Sequence, residues 1–288
     1  MNPSIVVLAN LSAAAEKAAR YAAALGAPLH AHVTLLHCYQ DPVMFAPELA
    51  VVTPTQTDRN YAEAAAEMQA LAQQLPGPAA ATVSAMPMAD ALTEAVQRYQ
   101  PLLLAMGLSP EHNFLDELLH NQVLPMLRAT HRPLLLVPAA APPPALPRRV
   151  LLALDAEPFG LSAAGRHLAP LLAAWRAAYT VVHVATGHEP EAQPGRMALA
   201  DVRASGLLPP DAPLWLYQEP QQDPAAGILQ AIADTQADLV VLIARPRGFL
   251  ERRFHHSVTA EVLRRSPVPV LLVPAKPSDR PGWMPAMS

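Results

Sequence analysis

Three short apolar runs occur twice in this chain, in the same order. Ile5-Val6-Val7-Leu8-Ala9-Asn10 returns as Val150-Leu151-Leu152-Ala153-Leu154-Asp155. Val33-Thr34-Leu35-Leu36-His37-Cys38 returns as Tyr179-Thr180-Val181-Val182-His183-Val184, and Pro133-Leu134-Leu135-Leu136-Val137-Pro138 as Pro269-Val270-Leu271-Leu272-Val273-Pro274. The offsets are 145, 146 and 136, so the second half has lost residues after its second run. An ordered repeat of this kind requires both halves to build the same unit. Between them lies Ala141-Pro142-Pro143-Pro144-Ala145-Leu146-Pro147. Such a run continues neither a helix nor a central strand and reads as a stiff linker. The expected division is a first domain over 1–140, a linker over 141–148, a second domain over 149–276 and a flexible tail over 277–288.

Within each half, short apolar runs alternate with stretches of helical spacing. In the first half the strands expected are Ile5–Ala9, Ala31–Cys38, Ala81–Met86, Leu102–Met106 and Pro133–Val137. They lack alternation, as strands buried on both faces of a parallel sheet do. Ser12 is placed to cap a helix that stops at Gly26-Ala27-Pro28. Tyr61, Ala64, Met68, Leu71 and Leu75 recur at helical spacing, as do Leu92, Val96 and Tyr99. In the second half Asp223-Pro224 reads as an N-cap followed by proline at the first helical position, ahead of Ile228 and Ile232. The pattern predicts an α/β fold: two tandem doubly wound domains, each with a five-stranded parallel sheet. Ligands of such sheets sit beyond the carboxyl ends of the strands. That brings Asn10 or Asp155, Cys38 or Val184, and the segments after Met106 and Ile243 to one crevice per half.

Composition narrows the function classes. At 288 residues the chain can bury two cores, and 52% apolar with 15% charged residues is a globular composition. A formal net charge of −4 provides no basic field for nucleic acid or an anionic membrane. No apolar run reaches the ~18 residues of a spanning helix, and the first residues lack the pattern of a signal peptide. The single cysteine, Cys38, forms neither an internal disulfide nor a metal cluster. A cytoplasmic protein is expected, so Asn10-Leu11-Ser12 is taken as a chance glycosylation match.

Several residues together resemble the universal stress protein family in tandem form. They are Asp155 at the end of the first strand, His183-Val184 at the end of the second, Ala237–Leu242 entering the fourth, and Ser257–Pro274 closing the unit. The resemblance is strong in the second half and weaker but ordered in the first. It implies an adenine nucleotide alpha hydrolase-like fold, a role in the stress response through binding rather than catalysis, and two domains packed as a pseudo-dimer. The last strands, Leu134–Val137 and Val270–Val273, would then meet at the interface as edge strands that want partners. Homodimerisation is a further expectation, whereas nucleic acid, membrane and metal are not expected partners.

Nucleotide-binding members of that family carry Gly-x2-Gly-x9-Gly-Ser/Thr after the fourth strand. Glycines there let the backbone approach phosphate, and a helix N-terminus adds free N–H groups. On this sequence the pattern falls on Gly107, Pro110, His120 and Asn121, and on Ile243, Pro246, His256 and Ser257. Proline has no N–H and cannot take positive φ. The resemblance therefore implies a phosphate cradle altered in both halves. No cofactor is required on this reading. The alternative is residual adenine-nucleotide binding in the second half, with slow hydrolysis at most. Its candidate residues are Asp155, Val184, Arg247, Gly248 and Ser257, and Asn10, Cys38, Gly107 and Asn121 are their counterparts in the first half.

The other polar features have plainer readings. His255 and His256 are adjacent, which suits chelation poorly. His30 and His32 would share a face of a strand but lack a third ligand. His37 and His183 are expected to hold loop backbone, since neither has a nucleophile for base catalysis. Arg245, Arg247, Arg252 and Arg253 read as a solvated face, with an anion site in place of the lost glycines as the alternative, and as a basic face they would meet Glu111, Asp116 and Glu117. The connection over 41–57 is long and apolar, and suggests a lid over a small apolar ligand.

Overall fold

A computed structural model describes residues 3–39, 54–109, 126, 130–154, 159–185, 193–220, 223–244 and 258–277. In the first half β1 (Ser4–Leu8), β2 (His32–Cys38), β3 (Ala79–Ser84), β4 (Leu103–Leu108) and β5 (Leu134–Pro138) are all parallel, in the order β3-β2-β1-β4-β5. In the second half β6 (Arg149–Ala153), β8 (Ala178–Ala185), β9 (Leu214–Pro220), β10 (Leu239–Ala244) and β11 (Val270–Pro277) repeat that order in mirror sequence. The short β7 (Phe159–Leu161) is described below. Every residue of β1 and β5 is buried, as the uninterrupted apolar runs require.

The two sets join into one sheet. β5 pairs antiparallel with β11 through Val270↔Leu136, Leu271↔Leu135 and Leu272↔Leu134. The core is accordingly divided by sheet face, not by half. One face carries Ile5, Val7, Leu135, Val137, Leu271 and Val273 beneath helices of both halves. The other carries Val6, Leu8, Leu134, Leu136, Val270 and Leu272.

The first face is covered by α1 (Ala13–Gly26), α2 (Pro54–Gln74), α4 (Ala163–Arg166), α5 (Ala169–Trp175) and α6 (Gln193–Ser205). α3 (Met88–Tyr99), α7 (Pro224–Thr235) and α8 (Val258–Arg265) cover the second. Ser12 caps α1 by accepting from the Ala15 N–H at 3.2 Å, and Asp223 caps α7 by accepting from Ala225 at 3.0 Å with Pro224 behind it.

Across the joint, α1 and α5 touch, and Trp175 Nε1 donates to the Leu25 carbonyl at 2.9 Å. The proline-rich segment is strapped down on α1. Lys17 donates to the carbonyls of Ala139 and Ala141, and Tyr21 Oη donates to the Pro142 carbonyl at 2.7 Å.

Three local expectations need correction. β3 starts and ends two residues earlier than the apolar run suggests, because Ala79 already pairs with Val33 and Pro87 is the N-cap of α3. α1 ends at Gly26 as expected, but Gly26 keeps a right-handed conformation, and the left-handed residue is His30, at φ 50, after a 3-10 turn over Ala27–Leu29. A Cβ on Gly26 would come within 2.9 Å of the Ala31 Cβ, so packing explains that glycine. His30 is thereby outside the strand and does not share a strand face with His32. The last residues of the long connection, 54–57, are the first turn of α2.

The largest departure from the repeat is β7. It pairs antiparallel with the end of β11 through Ala275↔Leu161, Lys276↔Gly160 and Pro277↔Phe159. Room for it comes from a longer connection: Ser12 follows Leu8 by four residues, whereas Ser162 follows Ala153 by nine. Phe159 and Leu161 are buried, which holds the insert on the core.

This packing makes three substitutions informative. A Cβ at Gly107 in β4 would overlap the Ala14 carbonyl of α1, where backbone meets backbone. Gly107→Ala should therefore cost about 3 kcal/mol in chemical denaturation. Gly165→Ala, whose Cβ meets nothing closer than 3.5 Å, should instead gain about 0.5–1 kcal/mol. Burial, with Asp238 adding to it, pushes the Tyr21 phenol up to about 12. The unfolded tyrosine ionises near its ordinary value of 10.0. Its contribution to stability is thus complete below that pH and falls as pH rises towards 12. Tyr21→Phe should flatten the alkaline arm of a stability–pH profile, and an unchanged arm would contradict the assignment.

Candidate functional site

Strand order reverses between β1 and β4, and again between β6 and β10. The carboxyl ends of these pairs are the two switch-point crevices, where a doubly wound sheet binds ligands. Register puts Leu8 opposite both Leu36 and Met106, and Ala153 opposite both Val182 and Leu242. Asn10, Cys38 and Gly107 therefore lie on adjacent strand ends in the first half, and Val184 lies at the corresponding end in the second.

The first crevice is held by its own hydrogen bonds. Asn10 is exposed, and its Oδ1 accepts from the Ser12 N–H at 3.2 Å and from the Ser12 hydroxyl. His37 Nδ1 lies 2.9 Å from the Ala9 carbonyl, which can only accept, so this ring carries its proton on Nδ1. Ala9 N–H donates to the Leu36 carbonyl at 2.9 Å. The connection out of β1 is thus tied to the end of β2 from both backbone and side chain. Cys38 points to the opposite face, half-buried on the α3 side, and burial pushes its thiol up. That environment favours an inert thiol over a nucleophile. Gly107 lies under the first turn of α1 with no space for a side chain.

The second crevice is built differently. Leu154 N–H donates to the Val182 carbonyl at 3.2 Å, matching Ala9 and Leu36. Among the described residues the matching histidine clamp is absent: His183 is 6% exposed, and neither ring nitrogen has a hydrogen-bond partner there. Ile243 stands where Gly107 does in the first half, and its side chain packs into the first-face core. β7 lies against both the end of β11 and α6. Val184 is half-buried against the α7 side. Asp155, Arg247, Gly248 and Ser257 lie outside the described residues, as does Asn121 of the first half. So do His255, His256, Arg245, Arg252, Arg253, Glu111, Asp116, Glu117 and the stretch over 41–53. Among the described residues no three His, Cys, Asp or Glu side chains gather as a metal set, and no helix is long and apolar enough to cross a membrane.

Sequence reasoning assigned both His37 and His183 to holding loop backbone, and for His183 that is wrong. The sequence carries no signal that separates the two histidines, which stand at the same place in matching runs. His37→Leu should cost about 1–2 kcal/mol in stability, since it leaves the Ala9 carbonyl without its partner. No loss on thermal denaturation would contradict the clamp.

The model of the Universal stress protein family matches residues 1–138 and 219–274. The fold is similar to that of a universal stress protein from Archaeoglobus fulgidus, at 17% identity and a TM-score of 0.61, covering 96% of this chain and 97% of that one. A functionally unknown protein from Pseudomonas aeruginosa is similar at 17% identity and a TM-score of 0.53, covering 96% and 93%. A putative universal stress protein from the same species is similar at 15% identity and a TM-score of 0.52, covering 94% and 93%. No curated protein matches the chain. At these identities the solved structures speak for the fold alone.

Proposed function

Because the chain belongs to the universal stress protein family, we propose that it serves the stress response by binding rather than by catalysis, in the cytoplasm, and that it is not a competent ATP binder. The observation that carries this reading is Gly107. It is the one glycine of the family's phosphate pattern retained in the first half, and its missing side chain is accounted for by the Ala14 carbonyl against it. It is therefore no sign of a phosphate loop. The other glycine positions hold Pro110 and His120, and Ile243, Pro246 and His256. Prolines donate no N–H to a phosphate.

A second reading is favoured by the asymmetry of the two crevices. Among the described residues, Asn10 and His37 of the first are hydrogen-bonded to the connection, whereas His183 of the second is buried and without a partner. Residual binding of an adenine nucleoside or AMP in the second half, with Asp155 and Val184 as contacts and Arg247, Gly248 and Ser257 nearby, fits that difference. The halves act as each other's partner across β5 and β11, in the manner of a pseudo-dimer.

Calorimetric titration of the full chain with ATP, AMP and adenosine tests both readings. The expected result is no micromolar affinity for ATP, and binding of AMP or adenosine at least as tight as that of ATP. Micromolar ATP binding that weakens when the phosphates are removed would overturn the proposal.

A further inference from the structure

We infer that His183 is a ligand-contacting residue of the second crevice, and that the group it takes is compact, uncharged and carries both a hydrogen-bond donor and an acceptor, such as a nucleobase edge or a carboxamide. This rests on the reading that the second half binds a small molecule.

The two rings occupy equivalent places on equivalent strands. His37 meets the Ala9 carbonyl at 2.9 Å, while among the described residues neither ring nitrogen of His183 has a hydrogen-bond partner, although the ring is more deeply buried. A buried polar atom without a partner costs about 1–3 kcal/mol, and such orphans in native structures need a reason. Folding alone supplies none, since an apolar side chain of similar size would fill this place at lower cost. A ligand that completes the pair supplies one.

Position selects the crevice. His183 immediately precedes Val184, one residue beyond the last pair between β6 and β8. It shares the strand face of Val181, where Leu154, Phe159 and Leu161 are also buried. These apolar neighbours select the ligand class. A phosphate or carboxylate brought among them would lose its hydration without a counter-charge, whereas a neutral donor–acceptor group would lose far less. An uncharged imidazole offers one donor and one acceptor, the complement of such a group.

The test uses full-length protein and adenosine as the probe, with calorimetry and imidazole nitrogen NMR in parallel. Adenosine should shift both ring nitrogens of His183. His183→Leu should weaken adenosine binding at least tenfold while leaving thermal stability unchanged or raised, because it removes two unpaired polar atoms. His183→Gln, which keeps a donor and an acceptor, should recover part of the affinity. Wild-type affinity in His183→Leu would overturn the assignment and leave the functional reading standing. A large loss of stability in His183→Leu would overturn it too, by showing that the ring is paired in the native fold. No adenosine binding by the wild-type chain would overturn the functional reading itself, and the assignment with it.

Discussion

Three residue pairs between β5 and β11 set the architecture of this molecule. Each strand closes the parallel sheet of its own half, and each would otherwise present a buried-type, wholly apolar edge to water. Leu134, Leu135 and Leu136 have no exposed surface, which is possible only because the other half supplies the next strand. The antiparallel step also fixes symmetry: strand order runs outward from the joint as a mirror sequence, and each core layer crosses from one half into the other. The α1–α5 contact, the Trp175 bond to Leu25 and the strapping of the proline-rich segment by Lys17 and Tyr21 all lie around this joint.

With the joint holding the frame, the two crevices were free to diverge. In the first, α1 starts close enough to β4 to require Gly107, and His37 and Asn10 are spent on the connection itself. In the second, five more residues lie between strand and helix cap, β7 falls in that connection, α4 and α5 follow it, and Ile243 packs into the first-face core. The longer connection thus goes with β7 at the second crevice, and Ile243 replaces Gly107 beside it.

Much of the frame was legible in the sequence because it depends on patterns with a single physical reading. Unalternating apolar runs gave the strands and Asp223-Pro224 gave the start of α7, while the joint between the two final strands came from the family resemblance. The misses are cases where one residue type serves two roles. Gly107 reads as a phosphate glycine until Ala14 is seen against it, and Gly26 ends α1 as expected but is required by packing against Ala31 and not by a left-handed turn. His37 and His183 look alike because they stand at the same place in matching runs, and only their hydrogen bonds differ. β7 has only Phe159, Gly160 and Leu161 to announce it, too few for any periodicity. The site residues Asp155, Arg247, Gly248, Ser257 and Asn121 rest on the sequence resemblance.

Hydrogen exchange measured strand by strand tests most directly whether the joint makes the two halves one folding unit. The account predicts that amides of β5 and β11 are among the slowest in the chain and exchange only with global unfolding, at one free energy shared by β1 and β6. Exchange of the β5 and β11 amides at a lower free energy than those strands, with the two halves opening separately, would contradict it.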